Sequence, residues 1–98
     1  MESYEVTTVL AGGATAAKRK SAKSQMEKAV IAQEGKVVGF EDWGEHELAY
    51  TIDGNNAGVF LIYQVELGGG KVRELDNVLR LDEGIVRHLI VKNGKKSQ

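Results

Sequence analysis

The chain has 98 residues, 42% hydrophobic and 28% charged, with a formal net charge of −1 and neither cysteine nor proline. That profile describes one soluble globular domain with one core and excludes an intrinsically disordered chain. Disulfides, zinc–thiolate centres and thiol nucleophiles are excluded, no apolar run approaches the ~20 residues of a membrane helix, and the start has no basic-then-apolar leader.

Along the chain, "YEVTTVLA" (4–11) alternates with Tyr4, Val6, Thr8 and Leu10 on one face, which predicts a strand. Gly12 and Gly13 break it. Thr15 is placed to cap a helix running to about Gln33, with Ala22, Met26, Ala29 and Val30 at helical spacing and Gly35 as the stop. "KVVGFEDWGEHELAYTI" (36–52) predicts a long strand in which Val38, Phe40, Leu48, Tyr50 and Ile52 share the buried parity, with Gly39 and Gly44 as bulge candidates. "DGNNAG" (53–58) is a turn, and "VFLIYQVEL" (59–67) is a strand apolar enough to lie in the middle of a sheet.

"GGG" (68–70) leads into a second helix over about 71–82, with Val72, Leu75, Val78 and Leu79 as its stripe. Gly84 ends it, and "IVRHLIVK" (85–92) is the last strand. The polar tail, 93–98, is expected to be mobile beyond a single domain spanning 1–92. Strand, helix, strand, strand, helix, strand is the order of the α+β, ferredoxin-like βαββαβ fold, a four-stranded antiparallel sheet with both helices on one face. On parity Leu61, Tyr63, Val65 and Leu67 face the helices, as do Val86, His88 and Ile90. Phe60, Ile62, Gln64, Arg87, Leu89 and Val91 are left on an open face too apolar to be plain solvent surface.

Charge is segregated. Residues 18–28, "KRKSAKSQMEK", carry five basic groups and one acid, the 92–98 tail carries three lysines, and acids gather at 41–47. Glu41, Trp43, Glu45 and Glu47 share one strand parity, but nothing around them reads as a pocket, so a solvated charged face is favoured over an acid–base pair. His46 and His88 sit on different strands without metal-ligand spacing, so no metal or other cofactor is expected. Neither glycine-rich stretch matches a phosphate-binding loop, and "AGGATAA" offers no arginine for an acyl phosphate hydrolase. The basic 18–28 stretch reads as a solvated helix face or as a phosphate-backbone contact. "NAGVFLIYQV" lacks the glycine-aromatic signature of an RNA-recognition motif.

"EDWGEHELAYTI", "AGVFLIYQVEL" and "LRLDEGIVRHLIVK" together resemble the family of the sixth protein of the bacterial small ribosomal subunit, ribosomal protein S-six, with likeness running from "YEVTTVL" to Lys92. The resemblance implies the same fold. It implies a non-enzymatic ribosomal component, in the cytoplasm of a bacterium or the equivalent organelle compartment. That component pairs with ribosomal protein S-eighteen and binds the central domain of small-subunit ribosomal RNA, with no membrane and no small-molecule substrate. Arg80, Arg87 and Lys92 match the family's basic positions, and Lys95 and Lys96 of the tail join them as expected RNA contacts. Where the family has one or two basic residues before "LAY", this chain has Glu45, His46 and Glu47. Thr51 replaces a common proline, and Asp53 a basic or small residue. That segment is therefore expected to face a basic protein. The expected partner surface is Trp43, Glu45, Glu47, Phe60, Ile62 and Leu89. The alternative is a free-standing ferredoxin-like regulatory or self-associating module.

Overall fold

The computed structural model describes residues 2–52 and 55–92. Its elements are β1 (Glu2–Ala11), α1 (Ala16–Ala32), β2 (Lys36–Ile52), β3 (Asn55–Leu67), a 3₁₀ turn (Gly69–Lys71), α2 (Val72–Arg80) and β4 (Ile85–Lys92). All strand pairs are antiparallel and the sheet order is β2-β3-β1-β4. The alternation read from the sequence explains this order. The two strands richest in buried side chains, β1 and β3, occupy the centre, while β2 and β4 form the edges. Ile52 pairs with Asn55, so β3 begins inside the stretch expected as a turn. The 93–98 tail, with Lys95 and Lys96, and Asp53 lie outside the described residues, as do the side chains of Tyr50, Thr51 and Ile52.

The helices cover one face. Tyr4, Val6 and Leu10 of β1 and Leu61, Tyr63, Val65 and Leu67 of β3 pack with Met26 and Val30 of α1 and Leu75 and Leu79 of α2. Thr8 lies in this layer, and its hydroxyl donates to the Leu61 carbonyl at 3.3 Å, so the buried oxygen is not left unpaired. Phe40 packs on Tyr63 with centroids 5.1 Å apart. Burial, reinforced by the charges of Glu27 and Asp42, pushes the Tyr63 hydroxyl far above its ordinary pKa.

Both ends of α1 follow from local chemistry. The Thr15 hydroxyl accepts the Lys18 N–H at 3.1 Å. At the other end the Glu34 N–H donates to Ile31 and the Gly35 N–H to Val30, the paired bonds of a Schellman motif. Glu34, not the glycine, takes the left-handed position at φ 64°. Gly35 is needed for space. A Cβ there would stand 2.3 Å from the Glu66 carbonyl oxygen and 2.4 Å from Leu67 Cδ2.

The parity read for β2 needs correction. Register against β3 shifts between Val37 and Gly39 and again between Asp42 and Gly44. Val37, not Val38, faces the core, and Val38 is exposed. At the second shift Gly44 adopts φ +78°, a left-handed bulge position that favours glycine. Each extra residue reverses which face the following side chains point to. Glu41 pairs with Ile62 on the open face, but Glu45 and Glu47 pair with Val59 and Ala57 on the helix side. Leu48, expected in the main core, is half-buried beside Val9 across Gly58, on the other face.

Candidate docking face

The uncovered face of the sheet is built in register. One row runs Glu41, Ile62, Thr7, Leu89; the next runs Gly39, Gln64, Glu5, Val91; a third runs Gly44, Phe60, Val9, Arg87. Leu89 is 59% exposed, Val91 48% and Trp43 56%, so two exposed aliphatic groups stand on β4 and an indole on β2. Between them Val9 and Ile62 form a smaller apolar layer. Ile62 is only 5% exposed, so this predicted contact residue supports the face from beneath. Phe60 is half-buried and keeps an open side.

The β2 corner of this face is held by its own polar groups. The Trp43 indole N–H donates to Glu41 Oε1 at 2.7 Å. His46 Nε2 bonds the Trp43 carbonyl at 2.9 Å, and its ring meets Phe60 edge-on with centroids 5.7 Å apart. The Gly44 N–H donates to Asp42 Oδ1 at 2.9 Å. Glu41 and His46 were not picked out as contact residues from sequence. An acid two residues before a strand tryptophan is the signal that could have found Glu41, since side chains at i and i+2 share a face.

The acids at 41–47 are therefore not one cluster. Glu41 serves Trp43 on the open face. Asp42 faces the helices and meets Arg19 at 3.4 Å. Glu45 reaches across to accept the Gly13 backbone N–H at 2.8 Å. Glu47 is exposed near the end of β2. The expected partner residues thus divide into Trp43, Phe60, Ile62 and Leu89 on the open face, with Glu45 and Glu47 on the helix side.

The described basic positions are also dispersed. Arg87 stands on the open face beside Val9. Arg80, at the end of α2, is ion-paired with Asp76, which also bonds His88 Nε2 at 2.7 Å. Lys92 pairs with Glu2 at the end of β4; that hydrogen bond and the attraction between the charges hold Lys92 above its usual pKa and Glu2 below its own. Among the described residues no group of three or more His, Asp or Glu converges as a metal site would require. A cleft of about 460 Å³ opens between the β1–α1 loop and the α2–β4 loop. Its single basic lining residue, Lys18, is opposed by Asp82 and Glu83, which does not make an anion cradle.

An α+β sandwich with one sheet face left bare, and with Trp43, Leu89 and Val91 exposed on it, presents a surface suited to docking another macromolecule. Comparison with known proteins agrees. The family described as Ribosomal protein S6 matches residues 3–92. Small ribosomal subunit protein bS6 of Caldanaerobacter subterraneus subsp. tengcongensis is 28% identical over 92 residues, covering 94% of this chain and 97% of that protein. The bS6 of Alkaliphilus metalliredigens is 30% identical with the same coverage. The crystal structure of 30S ribosomal protein S6 from Thermotoga maritima superposes with a TM-score of 0.85, at 23% identity, covering 93% of this chain and 86% of that one. That structural likeness carries the fold. The chain belongs to the ribosomal protein S6 family, a structural constituent of the small ribosomal subunit and not an enzyme.

Proposed function

We propose that the chain serves as an adaptor in the small subunit, binding small-subunit ribosomal RNA jointly with ribosomal protein S-eighteen, which docks on the open sheet face. The observation that carries this reading is the bare face itself, with Trp43, Leu89 and Val91 exposed around a packed layer of Val9 and Ile62. An aromatic anchor with aliphatic neighbours is the composition of an interface centre. Glu41, at the edge of this face, complements a basic partner.

With a net charge of −1 the isolated chain lacks the field that RNA binding ordinarily uses, so a basic partner supplies much of it. Arg87 and Lys92 add phosphate contacts that position the pair without reading sequence. The test is affinity for a transcribed central-domain fragment of small-subunit ribosomal RNA, with and without ribosomal protein S-eighteen, across salt concentrations. Tight binding that needs the partner and weakens steeply with salt supports the reading. Salt-insensitive binding by the chain alone, or a stable homodimer closing the open face in scattering, overturns it.

A further inference from the structure

We infer that α1 is a second RNA-contacting surface, on the opposite side of the domain from the open sheet face, and that it tracks phosphate backbone through Lys18, Lys20 and Lys28. The inference rests on the adaptor reading above and adds a surface that reading does not use. Three observations carry it.

The first is charge without ion pairing: Asp82 and Glu83 share a cleft with Lys18 but do not reach ion-pair distance. The helix carries Lys18, Arg19, Lys20, Lys23 and Lys28 against one acid, Glu27. Arg19 is ion-paired with Asp42, and Lys23 lies over the Phe40 ring at 4.8 Å. Lys18, Lys20 and Lys28 are exposed and have no carboxylate within ion-pair distance among the described residues. The first turn of α1 has no acid, and Lys18 sits in it against the positive end of the helix dipole. An isolated helix is not stabilised by this arrangement; a polyanion beside it reverses the sign.

The second observation is shape. Lys20 and Lys28 stand eight positions apart, about 12 Å along the helix. Between and beside these lysines the exposed surface carries Ala17, Ser21, Ser24 and Gln25, which are small or polar. A phosphate backbone can approach such a surface closely. An anionic membrane fits poorly, because an interfacial helix needs a bulky apolar face: Met26 and Val30 are buried against the sheet, and the exposed Ile31 stands alone.

The third is placement. Met26 and Val30 fix α1 on the covered side of the sheet, so a protein on the open face leaves the lysines accessible. The domain can then be held between a basic protein on one side and RNA on the other.

The experiment uses the full chain with ribosomal protein S-eighteen and the transcribed central-domain RNA fragment. Lys18→Gln, Lys20→Gln and Lys28→Gln are combined, since glutamine nearly matches lysine in helix propensity. Circular dichroism and melting verify the fold. The expected result is at least a tenfold loss of RNA affinity and a log–log salt slope shallower by about 2 to 3, close to one unit per lost phosphate contact. Affinity for ribosomal protein S-eighteen stays unchanged. An unchanged slope and affinity overturns the inference while leaving the adaptor reading intact. Loss of binding to the protein partner instead, or α1-dependent binding to anionic lipid vesicles with no change towards RNA, also overturns it. If the wild-type pair fails to bind the RNA at all, the adaptor reading falls with it. Trp43→Ala, which leaves α1 untouched, separates the surfaces: it weakens the protein partner's binding first.

Discussion

The Glu45 carboxylate accepts the backbone N–H of Gly13 at 2.8 Å, across 32 residues of sequence. This single bond ties the β1–α1 loop to the edge strand β2, and it uses an acid expected to face a partner. Replacing Glu45 with Ala removes the acceptor and leaves the loop N–H to solvent. The expected cost is about 0.5–1.5 kcal/mol. In a domain of this size that lowers Tm by roughly 4–8 °C per kcal/mol, measurable by thermal unfolding. Glu45→Gln keeps an acceptor oxygen and should lose less. Equal melting of Glu45→Ala and wild type would show that the bond contributes nothing.

The end of α1 makes a paired prediction. Glu34 holds the left-handed position where glycine is preferred, and Gly35 occupies the position where no side chain fits. Glu34→Gly should raise stability by about 0.5–1 kcal/mol by relieving the strained φ. Gly35→Ala drives a methyl group into the Glu66 carbonyl and Leu67, at a cost of about 1–3 kcal/mol or more. Chemical denaturation midpoints of the two variants should therefore move in opposite directions. Movement the same way would mean that the motif is misread.

These cases show where the sequence was legible. The bounds of β2 and β4, the capping role of Thr15 and the inward set Leu61, Tyr63, Val65 and Leu67 follow directly from period and capping chemistry. Counting by twos assumes an unbroken pleat, and the register of β2 against β3 shifts three times, the first two at Gly39 and Gly44. Gly39 and Gly44 mark the bulges in the sequence, but a glycine does not say whether the chain slips there. That one ambiguity moved Val38 to solvent and Glu45 to the helix side. Ile62 was placed on the correct face, yet its burial depends on neighbours from β1 and β2 that no local pattern contains. The open face was legible as a set of residues. In the Trp43–Glu41–His46 corner, the shared parity of Glu41 and Trp43 was legible, but His46 was not, because the shift at Gly44 brings it to this face.

Acid sensitivity should concentrate at Asp76. The hydrogen bond with His88 is the largest influence holding this carboxyl below its ordinary pKa of 3.8, and the Arg80 charge adds to it against some desolvation. A carboxyl whose folded pKa is depressed contributes stability that is present above its unfolded value and lost as pH falls through the folded one. Wild type should therefore exceed Asp76→Asn in stability near pH 6, with the gap closing below about pH 4. Urea midpoints at several pH values decide this. A gap that stays constant down to about pH 2 would mean that the loss comes from packing of α2 on β4 rather than from the charge.

The open face makes the prediction closest to function. Trp43 and Leu89 are more than half exposed, so truncating them removes little that the isolated fold uses. Surface changes of this kind usually stay within about 0.5 kcal/mol in stability. As anchors of an interface they would each cost about 1–2 kcal/mol or more in binding, a tenfold or greater loss. Trp43→Ala and Leu89→Ala should then melt almost as wild type does while binding ribosomal protein S-eighteen far more weakly in calorimetry. Ile62→Ala should behave differently. It opens a cavity under the face and should lower stability by about 2–5 kcal/mol, with its binding defect following from the damaged fold. If Trp43→Ala and Leu89→Ala bind the partner at full strength, the partner does not sit on this face, and the exposed apolar groups of β2 and β4 need another occupant.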